Sequence, residues 1–285
     1  MKTILMPLDK EENDNLAIQA GLDIARRLKT HVTFLLSRPE FDGVPLYAHS
    51  VTASGYVALM NDLKSASEQR EVGVKKWLTA AGVKVETEAD ADGQSMIDAQ
   101  ASFVVGIGHD DDVVRRFSAV HDAIVFSRPS PDIGNLEVSS LMKGALEYSG
   151  RPILVMTGML RRDFGGTIAV AWNGSTEGAR AVTAALPLLG NADEVIILTV
   201  PTDKTNSEEG NRLKRYLLRH GIAATVRLLH RDVPVAEQLI YAANKWGASL
   251  LVSGGYTHSR MRQTLFGGVT HNLLENCRIP LLLAH

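Results

Sequence analysis

Short apolar runs alternate along this chain with stretches whose apolar residues return every three or four positions. The opening ILMPLDKEENDNLAIQAGLDIARRLKTHVTFLL reads as strand, polar turn, amphipathic helix and second strand, and IAVAWNGSTEGARAVTAALPLLGNADEVIILTV later repeats that order. Thr3 to Leu8 and Ala248 to Ser253 are apolar without alternation, which predicts buried strands. Strand–helix alternation of this kind implies an α/β fold, a doubly wound parallel sheet with right-handed crossovers and helices on both faces. Ligands of such sheets sit beyond the carboxyl ends of the strands.

The two copies align at three anchors. Asp9 answers Asn173 (173 − 9 = 164), Gly82 answers Gly221 (221 − 82 = 139) and Pro152 answers Pro280 (280 − 152 = 128). The falling offset makes the first copy 36 residues longer (164 − 128), with 25 of them before Gly82 (164 − 139) and 11 after it (139 − 128). The expected organisation is therefore residues 1–157, a joint at 158–166 rich in Arg and Gly, and residues 167–285. The first excess falls around Pro39 to Met60, where Phe41, Tyr47 and Tyr56 follow no regular period until about Val57, as in a lid or contact surface.

Candidate chemistry gathers in the second copy. Gly254-Gly255 closes the strand Ala248 to Ser253, and Gly267-Gly268 precedes a helix predicted over Val269 to Cys277, with Arg260 and Arg262 between the two loops. The first amides of a helix lack internal partners and carry partial positive charge, and glycine lets an oxyanion approach the main chain. Phosphate is the anion this pattern suits.

The stretch SGGYTHSRMRQTLFGGVTHNLL, Ser253 to Leu274, resembles the nucleotide-binding segment of the universal stress protein family, whose motif is Gly-x2-Gly-x9-Gly-Ser/Thr. Gly254 and Gly267 match it; Thr257 stands at its second glycine and Gly268 at its Ser/Thr. The resemblance spans nearly the whole chain and is strongest in the second copy. It implies two tandem five-stranded sheets of the adenine nucleotide alpha hydrolase-like, Rossmann-like type, related by a pseudo-twofold axis. It also implies an adenine nucleotide, ATP or AMP with or without Mg2+, held by Asn173, Val200, Gly254, Thr257, Gly267, Gly268, Val269 and Thr270. In the family the motif's hydroxyl reaches the phosphates; Gly268 keeps the amide and lacks that hydroxyl. The final apolar runs, Pro152 to Met156 and Pro280 to Ala284, are the expected pairing edge, giving a homodimer or a monomer that imitates one.

Other candidates have plainer readings beside the functional ones. Asn173-Gly174-Ser175 also makes an Asn-Gly turn with Ser175 as helix N-cap. The first copy has Ser127-Arg128-Pro129 where the second has its glycines, so a phosphate cradle is not expected there and Arg128 is free to reach an anion or the other copy. Asp9 keeps the family's first-strand acid but suits a turn or cap. His258 and His271 match no zinc spacing, and His109 to Asp112 reads as the acidic start of a helix over Asp112 to Phe117. Cys277, the chain's one cysteine, suits a buried structural thiol.

Composition narrows the classes further. With 45% hydrophobic and 22% charged residues and a net charge of −2, the chain reads as globular, with no field for nucleic acid or an anionic membrane. The early first strand leaves no room for a signal peptide, which points to the cytoplasm. No catalytic elbow, Walker loop or zincin helix is present, so binding is expected rather than turnover, with weak ATP hydrolysis at most. The expected function is nucleotide binding coupled to an unidentified protein partner, in the stress response that the resemblance implies. The alternatives are a nucleotide-free, dimerising interaction scaffold and an enzyme acting on a small metabolite beneath the aromatic insertion.

Overall fold

The computed structural model describes residues 1–40, 53–83, 101–128, 138–201, 207–230, 233–255 and 268–285. They form an α/β protein in two compact units, and the strand pairs given below are parallel at all but one. The unit Lys2–Asp122 with Ser139–Ser149 holds β1 (Thr3–Pro7), α1 (Asp14–Leu28), β2 (His31–Arg38), α2 (Ala53–Ala80), β3 (Ala101–Ile107), α3 (Asp110–Ser118) and α4 (Ser140–Tyr148). Its strands run in parallel in the order β3-β2-β1, with Thr3 opposite His31 and Val32 opposite Ala101. Amphipathic α1 turns Ala17, Ile18, Leu22, Ile24 and Ala25 inward and ends at Lys29, whose left-handed backbone sends its N–H to the Ala25 carbonyl.

The other unit holds β4 (Ala123–Arg128), β5 (Ile153–Thr157), β6 (Thr167–Ala171), α5 (Thr176–Leu189), β7 (Glu194–Thr199), α6 (Ser207–Arg219), β8 (Thr225–Leu228), α7 (Val235–Lys245), β9 (Leu250–Gly254), α8 (Gly268–Asn276) and β10 (Leu281–Ala284). Strand order is β4-β5-β10-β9-β6-β7-β8. Every neighbouring pair is parallel except β5 and β10, which run antiparallel with Leu281 opposite Val155 and Leu283 opposite Ile153. The two apolar runs expected to form a pairing edge thus pair with each other inside one chain. Ile196, Ile197, Leu198, Leu250, Leu251, Val252 and Leu282 are fully shielded, each contributing about 1.5–3 kcal/mol of burial. Their lack of alternation follows from helices covering both faces.

Within the second copy the chain builds β6, β7 and β8 outward in one direction, then β9 and β10 in the other. The order reverses between β6 and β9, the kind of switch point beyond whose carboxyl ends such sheets bind ligands.

Some elements differ from expectation in extent. α2 starts at Ala53 and runs for 28 residues against 13 in α6, so part of the first copy's excess is helix rather than irregular insertion. Residues 41–52 of that insertion lie outside the described residues. α3 begins at Asp110, two residues early, because all three acids of its first turn favour the helix dipole. α8 takes in Gly268 and stops at Asn276. The glycine anchors close α2 and α6 alike: Gly82 and Gly221 both have φ +76°, Val83 N–H donates to the Leu78 carbonyl, and Ile222 N–H to that of Leu217. Among the described residues no helix is long and apolar enough to cross a membrane.

Candidate functional site

Four segments of the second copy lie at or beyond the carboxyl ends of its strands: Asn173 after β6, Val200 after β7, Gly254 closing β9, and the first turn of α8 in the crossover from β9 to β10. Asn173 Oδ1 accepts the Ser175 N–H at 3.0 Å, and Ser175 Oγ accepts the Gly178 N–H at 3.1 Å. The Asn-Gly turn, with Gly174 at φ +76°, and the Ser175 N-cap therefore form as the sequence suggests.

Gly254 lies against that same turn. A methyl group placed on it would stand 2.7 Å from the Gly178 nitrogen and 3.0 Å from the Glu177 carbonyl carbon. Both are backbone atoms that side-chain rotation cannot clear, so glycine here is a packing requirement of the fold.

Gly268 is the opposite case. It and Val269 are exposed at the start of α8, and a methyl group on Gly268 would meet nothing within 4 Å among the described residues. Amides in the first turn of a helix have no helical acceptor and point outward along the positive end of its dipole. Thr270, one residue on, is buried. His271 pairs with Glu275 at 3.1 Å, one turn along the same helix. Thr257 and Gly267, together with His258, Arg260 and Arg262, lie outside the described residues.

Sequence reasoning missed Glu209. Trp172 Nε1 donates to its backbone carbonyl at 3.0 Å, tying the end of β6 to the first turn of α6, and a methyl on Gly174 would stand 3.1 Å from Glu209 Oε2. The carboxylate, bonded to Arg212 at 3.0 Å, thus sits beside the Asn173 turn. The available signal was the 139-residue offset: it places Glu209 where the first copy has Arg70, while the 164-residue offset places Gly178 where the first copy has Asp14.

Those two first-copy residues form a forked ion pair. Arg70 Nε and Nη2 each donate to an Asp14 carboxylate oxygen at 2.9 Å, and Nη2 also reaches the Leu8 carbonyl at 3.0 Å. Nearby, the first turn of α4 is furnished with acids. Asp110 accepts from Ser37 Oγ at 2.6 Å and from Ser140 Oγ, while Asp9 bonds Ser139, the N-cap. Burial, with the Asp110 charge adding to it, raises the Asp9 pKa. Two carboxylates at a helix start repel a further anion.

Arg128 reaches the second copy. Its buried guanidinium donates from Nη1 to the Cys277 carbonyl at 2.9 Å and from Nη2 to that of Glu275, at the end of α8. Cys277 itself is buried, with its thiol pKa raised by that burial, as its apolar setting suggested. Among the described residues no group of three or more His, Cys, Asp or Glu could hold a metal ion.

Residues 166–285 match the model of the universal stress protein family. No curated protein matches the sequence. A universal stress protein structure from Archaeoglobus fulgidus is similar over 99% of this chain and 97% of its own, at a TM-score of 0.69 and 16% identity. A functionally unknown protein from Pseudomonas aeruginosa is similar over 100% and 92%, at a TM-score of 0.54 and 14% identity. A member of the family from Burkholderia pseudomallei is 31% identical, covering 41% of this chain and 94% of its own, at a TM-score of 0.32.

Proposed function

Because the chain belongs to the universal stress protein family, we propose that its C-terminal half binds an adenine nucleotide, ATP or AMP, at the switch point between β6 and β9. The observation that carries the reading is the open start of α8, where Gly268 and Val269 present amides that a phosphate can accept from. Asn173, Val200 and the Glu209 carboxylate form the nucleoside end, with the acid suited to ribose hydroxyls. Thr257, Gly267 and Thr270 complete the proposed set, and Mg2+ would enter only with the phosphates.

In this proposal residues 1–157 and 167–285 are tandem copies about a pseudo-twofold axis, joined through 158–166. The first copy is degenerate: a forked ion pair and two carboxylates stand at the positions that would face nucleotide. Its role is to support the second copy and to carry nucleotide occupancy to a protein partner in the stress response. The protein acts in the cytoplasm, as a pseudo-dimeric monomer or a homodimer, with weak ATP hydrolysis at most.

A calorimetric titration of ATP with Mg2+ tests this. Saturable heat is expected from the natural chain. Gly268→Asp should abolish it while the melting temperature stays put, because a carboxylate in the first turn of a helix suits the dipole and meets nothing within 4 Å among the described residues, but repels the phosphates. A second reading, the nucleotide-free scaffold, is favoured by the structural duty of Gly254. No heat at millimolar ATP would establish that reading and end the first.

A further inference from the structure

We propose that Arg128, contributed by the degenerate copy, is a positioning residue for the anion-binding end of α8. Arg128 is 6% exposed, yet the described partners of its guanidinium are two main-chain carbonyls, Glu275 in the last turn of α8 and Cys277 just beyond it. Carbonyls at a helix end have no helical donor and carry the negative pole of the dipole, so the helix terminus serves as counter-charge. Arginine keeps its proton even where burial and neighbouring Arg278 lower its pKa.

A second bond reinforces the grip. Thr157, opposite Arg128 in the β4–β5 register, donates from Oγ1 to the Arg278 carbonyl at 2.8 Å. Side chains from the ends of two first-copy strands thus hold three carbonyls, one in the last turn of α8 and two in the turn that leads to β10. α8 has nine residues and spans only about 13 Å, so fixing its carboxyl end fixes where the Gly268 and Val269 amides stand.

The arrangement is one-sided. Ile124 faces Ile153 as Leu251 faces Leu281, so Arg128 corresponds to Gly255 (128 + 251 − 124 = 255), which has no side chain to return the contact. One substitution removes the glycine from the first copy's mouth and clamps the helix that serves the second. The ligand consequence rests on the nucleotide reading; the clamp itself does not.

The test uses the full chain with Arg128→Met, which keeps the apolar stem and removes the donors. Arg128→Lys keeps the charge without the fork and stands in should the first variant fail to fold. Leu217→Ala, a buried residue of α6, controls for general destabilisation. The amide resonances of Gly268 and Val269 should shift or broaden in the Arg128 variants and hold still in the control. The ATP dissociation constant should rise about tenfold in the Arg128 variants alone. Unmoved resonances would overturn the proposal, as would moved resonances with unchanged affinity in a protein that binds ATP. Should the natural chain bind no ATP, the functional reading falls, and the resonances still decide the clamp.

Discussion

Gly254 and Gly178 meet backbone to backbone, leaving less room than a single methyl group needs between the end of β9 and the first turn of α5. Adding that methyl with Gly254→Ala must push the helix start off the strand. The expected cost is about 1–3 kcal/mol, read as a lower denaturant midpoint in the absence of any nucleotide. An unchanged midpoint would mean that the glycine is kept for ligand alone.

Gly268→Ser makes the opposite forecast. The position meets nothing within 4 Å among the described residues and begins a helix, so serine should leave the melting temperature within a degree or so. It also returns the hydroxyl that the family motif places there. An added hydroxyl-to-phosphate bond is worth about 1.5 kcal/mol or more, so ATP affinity should rise roughly tenfold by calorimetry. Equal affinity for both proteins would show that the phosphates do not lie at this turn.

The contrast between these glycines marks how far the sequence could be read. Periodicity, the Gly82 and Gly221 anchors and the Pro152 and Pro280 runs gave the strand–helix order and the β5–β10 partnership, because each rests on local patterning. Gly254 and Gly268 look alike in the motif; only the approach of α5 separates a packing glycine from an open one. Arg70, Asp14 and Glu209 were equally illegible, since their roles depend on which side chains meet across α1, α2 and α6. The early start of α2 at Ala53 was missed because the exposed Val57, Leu59 and Leu63 break the one-sided stripe that announces a packed helix.

Asp9 should leave a signature in pH dependence. Burial raises its pKa in the folded protein, so the native state holds the proton more tightly than the unfolded chain does. Stability from this group is therefore greatest below the ordinary aspartate range and falls as pH climbs from there through the raised native value, then stays level. Asp9→Asn, which can still accept from Ser139, should melt higher than the natural protein at neutral pH, with the difference shrinking toward strongly acid pH. A difference that grows on acidification would show instead that ionised Asp9 is favoured by its surroundings.

The ion pair of Arg70 and Asp14 sets the last expectation. Asp14 is nearly enclosed and both its oxygens are spent on one guanidinium, so Arg70→Met strands a buried carboxylate, at a cost of about 2–4 kcal/mol. Pairing that change with Asp14→Leu removes the stranded charge and should recover most of the loss, as a double-mutant cycle of denaturation midpoints would record. The same double variant also vacates polar groups from the first copy's mouth. It should nonetheless gain no second ATP in a calorimetric titration, because Asp110 and Asp9 remain at the start of α4. A doubled stoichiometry would mean that the ion pair alone had kept nucleotide out of this half.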